Sequence, residues 1–181
     1  MGVWAMSEER LPENCFTIGL PRPFGRLLVC YGNGKLRQVR LIGKIGGRAG
    51  EKPERSRSSM RDAELERRLR ADFTAYFRGR KVDFNYAIDV ERYTPFQKAV
   101  WAEMREIPYG ETRSYRWIAE KVGKPRAYRA VGNACGKNPL LIIQPCHRVV
   151  GSHGKLGGFS GGLGLKKALL RLEGVSLAAG E

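Results

Sequence analysis

Cys146 and His147 stand side by side in the run Gln144-Pro145-Cys146-His147-Arg148-Val149-Val150, directly after the apolar stretch Leu140-Leu141-Ile142-Ile143. A thiolate is the strongest nucleophile among protein side chains, and a neighbouring base or cation brings its pKa toward the working range. The sequence has only two histidines, His147 and His153, so Cys/His chemistry has almost nowhere else to be centred. Three readings fit the segment taken alone. A free cysteine is often just a small buried hydrophobe. A zinc site drawing on Cys135, Cys146, His147 and His153 is conceivable, but it lacks recognised ligand spacing. A reactive nucleophile, as in a Cys/His hydrolase, is the third. Neighbouring residues of an extended segment point to opposite sides, so His147 is expected to act on the sulfur through a water.

A second constellation lies just upstream. Between Arg113 and Lys137 there are seven basic residues against the single acid Glu120, a net of +6. Ser114 is placed to cap a helix through about Val122 that stops at Gly123, and Pro125 to open a second through about Cys135 that stops at Gly136. This is helix-turn-helix spacing, on which a basic patch neutralises phosphates while the second helix enters a groove. The small residues Ala130, Gly132 and Ala134 allow close backbone approach, and Arg129 is long enough to enter a base stack. An ordinary helical hairpin with a solvated basic face is the plainer alternative.

The remaining elements must carry these two features. Cys15 to Leu20 and Phe24 to Tyr31 are rich in strand formers, Gly32-Asn33-Gly34 supplies the positive φ angles of a hairpin turn, and Lys35 to Ile42 reads as the return strand. Gly43 to Ser58 is rich in Gly, Lys, Arg and Glu and reads as a mobile loop or linker. Ser59 is placed to cap a helix to about Phe77 with Leu65, Leu69, Phe73, Tyr76 and Phe77 on one face, ended by Gly79. Lys81 to Val90 is extended in character. Thr94-Pro95-Phe96-Gln97 is a well-formed helix start, followed by the apolar face Phe96, Val100, Met104 and Ile107 with Trp101 beside it, and broken at Pro108-Tyr109-Gly110. After a turn-rich Gly151 to Gly158, a last helix is expected over Leu165 to Glu173, with Leu165, Ala168, Leu169 and Leu172 inward. Strands gather early and helices late, which argues α+β with two subdomains, divided at 92/93.

The chain's 181 residues and 42% hydrophobic content suffice for a core. Thirty-three Lys and Arg against 18 Asp and Glu give +15, which points to a polyanionic partner, most simply nucleic acid. The first residues lack a basic leader with an apolar core, and Met6 occupies the place of the Ser or Thr that a myristoylation signal requires. No apolar run approaches the ~18 residues of a membrane span, so a cytoplasmic or nucleoid-associated protein without a membrane partner is expected. Cys15, Cys30, Cys135 and Cys146 show no CxxC spacing, so reduced thiols are expected.

Taken in order, Thr94-Pro95-Phe96-Gln97, Ile107-Pro108-Tyr109-Gly110-Glu111, Ser114-Tyr115, Arg129-Ala130-Val131-Gly132, Asn138-Pro139, Pro145-Cys146-His147-Arg148-Val149 and Ser160-Gly161-Gly162 resemble the O6-alkylguanine-DNA alkyltransferases. The resemblance runs from about Thr94 to Gly174. N-terminally only Pro23-Phe24-Gly25 and the hairpin after it are similar. It implies a ribonuclease-H-like β domain followed by a winged-helix-like helix-turn-helix domain. It also implies a protein that binds double-stranded DNA in the minor groove, flips out an alkylated guanine, or O4-alkylthymine, and moves the alkyl group to its own cysteine once.

The roles implied are Cys146 as nucleophile, His147 taking its proton through water, Glu173 orienting that histidine, and Asn138 supporting the turn behind the active-site segment. Tyr115 would donate a hydrogen bond to the flipped base, and Cys146, Val149, Phe159 and Ser160 would line or read it. Arg129 would fill the vacated space, with Ala130, Gly132, Tyr128, Ser114 and Ser152 on the DNA. No cofactor or metal is implied, and a monomer is expected. Some relatives carry an N-terminal zinc site of Cys and His, but here no histidine precedes His147. The sequence departs from the family at Phe159, often Tyr, and at Gln144, usually aliphatic. Three rivals remain: a non-catalytic alkylated-base binder, whose relatives carry Trp at the nucleophile position, a DNA-binding regulator with Cys146 as sensor thiol, and a Cys/His hydrolase.

Overall fold

Strand β1 (Asn14–Gly19), β2 (Arg26–Gly32) and β3 (Lys35–Ile42) form an antiparallel sheet in that order in the computed structural model, which describes residues 14–42 and 60–176. The expected loop from Gly43 to Ser58 and the Ser59 cap lie outside the described residues. The turn between β2 and β3 carries Asn33 at φ 51° and Gly34 at φ 72°, the left-handed pair that lets a two-residue hairpin follow the strand twist. The central strand β2 is buried at every position from Leu27 to Tyr31.

The reduced-thiol expectation fails at two positions. Cys15 and Cys30 face each other directly in the β1–β2 register and form a disulfide, with Cα atoms 4.2 Å apart. Their spacing of 15 residues carries no motif, because cross-strand pairing and not local sequence brings them together. Cys135 and Cys146 are free.

Helix α1 (Met60–Tyr76) buries Leu69, Phe73 and Tyr76, as its periodicity predicts, and Gly79 ends it at φ 78°. The 81–90 segment joins the sheet through one parallel bridge, Leu36 to Ile88. A second bridge, Val39 to Leu140, brings the segment before Cys146 onto β3: Val39 N donates to Pro139 O at 2.8 Å and Leu141 N to Val39 O at 3.0 Å. One core cluster therefore combines Phe16, Leu27, Val29, Leu36, Leu69 and Phe73 with Leu140, Ile142, Ile143, Leu165 and Leu169.

Helix α2 (Pro95–Arg105) starts as a complete capping box. The Thr94 hydroxyl accepts from Gln97 N at 3.3 Å, and Thr94 N donates to Gln97 Oε1 at 3.0 Å. Its Val100, Trp101 and Met104 are buried in a second core with Ile118, Ala119, Val131, Cys146 and Val149, and the Trp101 indole donates to Ala134 O at 2.9 Å. The strand pair β4 (Arg113–Ser114) and β5 (Val149–Val150) is parallel and ties the entry of the helical hairpin to the residues after Cys146. Ser114 caps α3 (Tyr115–Lys121) by accepting from Trp117 N at 3.0 Å.

Helix α4 (Tyr128–Gly136) starts three residues later than expected, because Lys124 to Ala127 closes a turn through Ala127 N to Lys124 O at 2.8 Å. Helix α5 (Leu163–Leu172) starts two residues earlier, right after Gly162. No helix among the described residues is long and apolar enough to cross a membrane. Thr94→Ala removes one acceptor of the capping box and is expected to cost about 1 kcal/mol of stability, read as a lower urea midpoint at unchanged slope; an unchanged midpoint would contradict the role.

Candidate active site

Pro145 turns the chain at φ −80° and ψ 65°, and Arg148 N donates back to Pro145 O at 2.9 Å, so Cys146–Arg148 forms a single 3-10 turn. The expected extended segment is thus corrected. Successive side chains in such a turn lie about 120° apart, and Cys146 and His147 still diverge. Cys146 lines a cavity, while His147 is fully buried against Glu173.

Asn138 holds the approach to this turn. Its Nδ2 donates to Gln144 O at 2.6 Å and its Oδ1 accepts from Leu140 N at 2.9 Å, so one side chain clamps both ends of residues 140–144. Within that clamp Ile142 sits at φ 74°, a left-handed conformation strained for a β-branched residue. The clamp and the burial of Ile142 hold it there. Gln144 is buried, and its Oε1 is without a hydrogen-bond partner.

Glu173, at the C-cap of α5, gathers the rest of the site. Its Oε1 lies 2.8 Å from His147 Nε2 and accepts from Tyr76 Oη at 2.6 Å and Arg148 Nη2 at 3.0 Å. Its Oε2 accepts from Arg148 Nε at 2.8 Å and Gly110 N at 3.2 Å. Burial raises the pKa of this carboxyl, but the hydrogen bonds and charges of His147 and Arg148 outweigh it and hold it well below the usual carboxylate range. Gly110 is at φ 80°, and a Cβ there would lie 3.0 Å from Glu173 O, so only glycine brings its N–H this close.

Burial lowers the His147 pKa, and Glu173 opposes the shift without reversing it, so the imidazole is neutral. With Nε2 donating to the carboxylate, Nδ1 is the unprotonated nitrogen, and it is buried without a protein partner. Burial also pushes the Cys146 thiol up, against the lowering effects of the Asn138 side chain, the Lys166 charge and the backbone N–H groups of Cys146 and His147. Lys166 is fully buried on α5. Its Nζ donates to Val149 O at 2.6 Å and to Leu156 O, and burial lowers its pKa to about 8. Cys135, the other free thiol, rests on Met104 Sδ at 3.4 Å, and burial pushes its pKa up as well.

The cavity in front of Cys146 holds about 450 Å³ and is lined by Tyr115, Tyr128, Arg129, Gly132, Cys135, Phe159 and Ser160 among others. Tyr115 donates to Gly158 O at 3.2 Å, and burial raises its pKa to about 12, so it is a donor at neutral pH. Gly157, at φ 66°, lies against this ring, where a Cβ would come within 3.0 Å of it. A neutral base behind a buried thiol, with a phenol and a cavity for a flat ring in front, suits one displacement at carbon. The cavity opens beside an exposed Arg129 on a basic helical hairpin.

The model of the 6-O-methylguanine DNA methyltransferase DNA-binding domain matches residues 95–175. The methylated-DNA–protein-cysteine methyltransferase of Methanosarcina acetivorans is 42% identical over 152 residues, 84% of this chain and 94% of that protein. The chain belongs to this methyltransferase family. The corresponding protein of Methanosarcina barkeri is 57% identical over 99 residues, 55% of this chain and 62% of that protein. The crystal structure of Mycobacterium tuberculosis OGT in complex with DNA aligns at TM-score 0.72 and 39% identity, covering 88% of this chain and 92% of that one.

Among the residues singled out from sequence, Cys146, Tyr115, Phe159, Ser160, Arg129, Gly132 and Tyr128 line the cavity. His147, Glu173 and Asn138 stand behind the active-site turn. Val149 is not among the cavity lining; it is fully buried, and its carbonyl accepts from Lys166. Ser114 acts as the α3 cap, while Ala130 and Ser152 are exposed. Among the described residues no group of three or more His, Cys, Asp or Glu is arranged for a metal.

Three members of this methyltransferase site escaped the sequence reading: Tyr76, Arg148 as a partner of Glu173, and Lys166. Lys166 carried a signal, because it shares the inward stripe of α5 with Leu165, Leu169 and Leu170. The helical spacing of Tyr76 assigns it to the core alone, but a buried phenol also requires a hydrogen-bond partner, which here is Glu173.

Both the carboxyl of Glu173 and the imidazole of His147 have lowered pKa values, so the unfolded chain takes up protons first on acidification. Stability is expected to fall from about pH 6.5 and more steeply below about pH 4.3, read as denaturation midpoints; a flat profile down to pH 3 would contradict the network. Glu173→Gln leaves Arg148 without its counter-charge and is expected to cost about 3–5 kcal/mol at neutral pH.

Proposed function

We propose that this chain is a DNA-repair protein that transfers a methyl or other alkyl group from O6-alkylguanine in double-stranded DNA, and from O4-alkylthymine where it fits, to Cys146 in a single turnover. The observation that carries this reading is Cys146 at a cavity roomy enough to take a nucleobase, with His147, held by Glu173, behind it. His147 Nδ1 takes the thiol proton through one water, the thiolate forms the S–C bond as the C–O6 bond breaks, and the electron pair stays on the guanine oxygen. Tyr115 donates toward the departing base and supports its protonation. A thioether has no easy route back to thiol, so each molecule acts once.

Arg129, exposed on the first turn of α4, fills the space left by the extruded nucleotide, and Ala130, Gly132, Tyr128, Ser114 and Ser152 meet the strands around it. Backbone groups of Cys146 and Ser160 read the guanine edge, with Phe159 against its face, whereas Val149, expected to share that role, is buried with its carbonyl on Lys166. The +15 charge supports a polyanionic partner. The chain acts as a monomer in the cytoplasm or on the nucleoid.

The division at 92/93 into a ribonuclease-H-like unit and a winged-helix-like unit belongs to the same reading. It is supported by a second core whose buried residues all follow residue 93, while the first core draws Leu140, Ile142, Ile143, Leu165 and Leu169 across that division onto the earlier unit. The non-catalytic binder is disfavoured by the cysteine at position 146.

Incubation with a duplex containing O6-methylguanine should add one CH2 to the intact mass, mapped to Cys146, with an amplitude of one per protein. No adduct, or repeated turnover, would overturn the reading. Cys146→Ala should abolish transfer and keep DNA binding. Arg129→Ala should slow transfer from duplex DNA about tenfold or more, the order expected for losing a group that holds the extruded state. Unchanged duplex repair would remove that role.

A further inference from the structure

Tyr128 is unusual among the large side chains. Only Met60, Tyr128 and Leu163 are exposed large hydrophobics among the described residues, and Tyr128 alone of these lines the active-site cavity. The residue is 43% exposed on the first turn of α4, and the Arg129 guanidinium lies over its ring at 5.9 Å from the centroid. Tyr128, Gly132 and Gly136 recur every four residues, so they form one stripe of α4, and all three line the cavity. The two glycines leave that stripe low, and Tyr128 stands at its outer end.

An exposed aromatic face that costs water contact in the free protein gains most from a partner that is itself a flat ring. The surrounding charge names that partner, since Arg116, Lys121, Lys124, Arg126 and Arg129 are all exposed or nearly so on the same hairpin. Single-stranded and distorted nucleic acid is held by this combination of cations and aromatic platforms, each stacked base being worth about tenfold or more in affinity. A strand whose nucleotide enters the cavity meets Tyr128 and Arg129, which are exposed and line it.

Resting on the alkyl-transfer reading above, we infer that Tyr128 is a positioning residue that stacks on the base adjoining the extruded nucleotide of the same strand. When Arg129 leaves the Tyr128 ring to occupy the vacated space, the freed aromatic face receives that neighbouring base. The extruded state is thereby held from two sides, by a cation in the gap and by a stack at its edge.

The test uses the full chain and a duplex with O6-methylguanine beside 2-aminopurine. Methylation of Cys146 is followed by mass at saturating protein, and 2-aminopurine fluorescence is followed in the complex. Tyr128→Phe should keep both the rate, within about twofold, and the quenched fluorescence. Tyr128→Ala should slow methylation about tenfold and leave the 2-aminopurine bright, at an unchanged thermal midpoint. Equal rates and quenching for Tyr128→Ala and the unaltered chain would overturn the inference, as would a Tyr128→Phe variant as impaired as Tyr128→Ala. If the unaltered chain itself gains no methyl group, the alkyl-transfer reading fails, whereas the fluorescence comparison still decides whether Tyr128 stacks.

Discussion

The carboxylate of Glu173 is the point on which the site depends. It is buried, and a buried charge is tolerated only when its lone pairs are filled. Here they are filled by His147, Tyr76, Arg148 and the Gly110 N–H, which come from three separated parts of the chain. The interaction therefore does two things at once. It closes the fold by joining the end of α1, the turn after α2, the active-site turn and the end of α5. It also fixes the orientation of the one imidazole behind Cys146.

Chemical poise follows from the same arrangement. Burial alone would make Cys146 a poor nucleophile, since it favours the neutral thiol. The counteracting groups are the Asn138 side chain, the backbone N–H groups of the 3-10 turn and the buried Lys166, none of which needs to move during a displacement. Asn138 also keeps Ile142 in its left-handed conformation, so the strain of the approach and the electrostatics of the thiol share one residue. A preorganised site of this kind acts without reorganising its dipoles as charge moves.

Local chemistry was legible where it depended on near neighbours in sequence. The Thr94 cap, the Asn33-Gly34 turn and the apolar faces of α1 and α2 are all set by spacings of two to four residues. The ends of α4 and α5 shifted by two or three residues because turn hydrogen bonds and not propensity decided them. The Cys15–Cys30 disulfide and the partners of Glu173 were hidden for a different reason. Each is made by tertiary pairing over 15 to 97 residues, which leaves no local pattern. Lys166 lies between these cases, since its inward position was readable but its carbonyl partners, Val149 and Leu156, were not.

The central claim is that Glu173 holds His147 as a neutral imidazole with its proton on Nε2, leaving Nδ1 unprotonated, as the proposed proton transfer from Cys146 requires. The most direct test is the 15N spectrum of the His147 ring in the unreacted protein at neutral pH. The account predicts a protonated Nε2 coupled to its hydrogen and an unprotonated Nδ1, both lost on Glu173→Gln. A doubly protonated ring, or a proton on Nδ1, would contradict it.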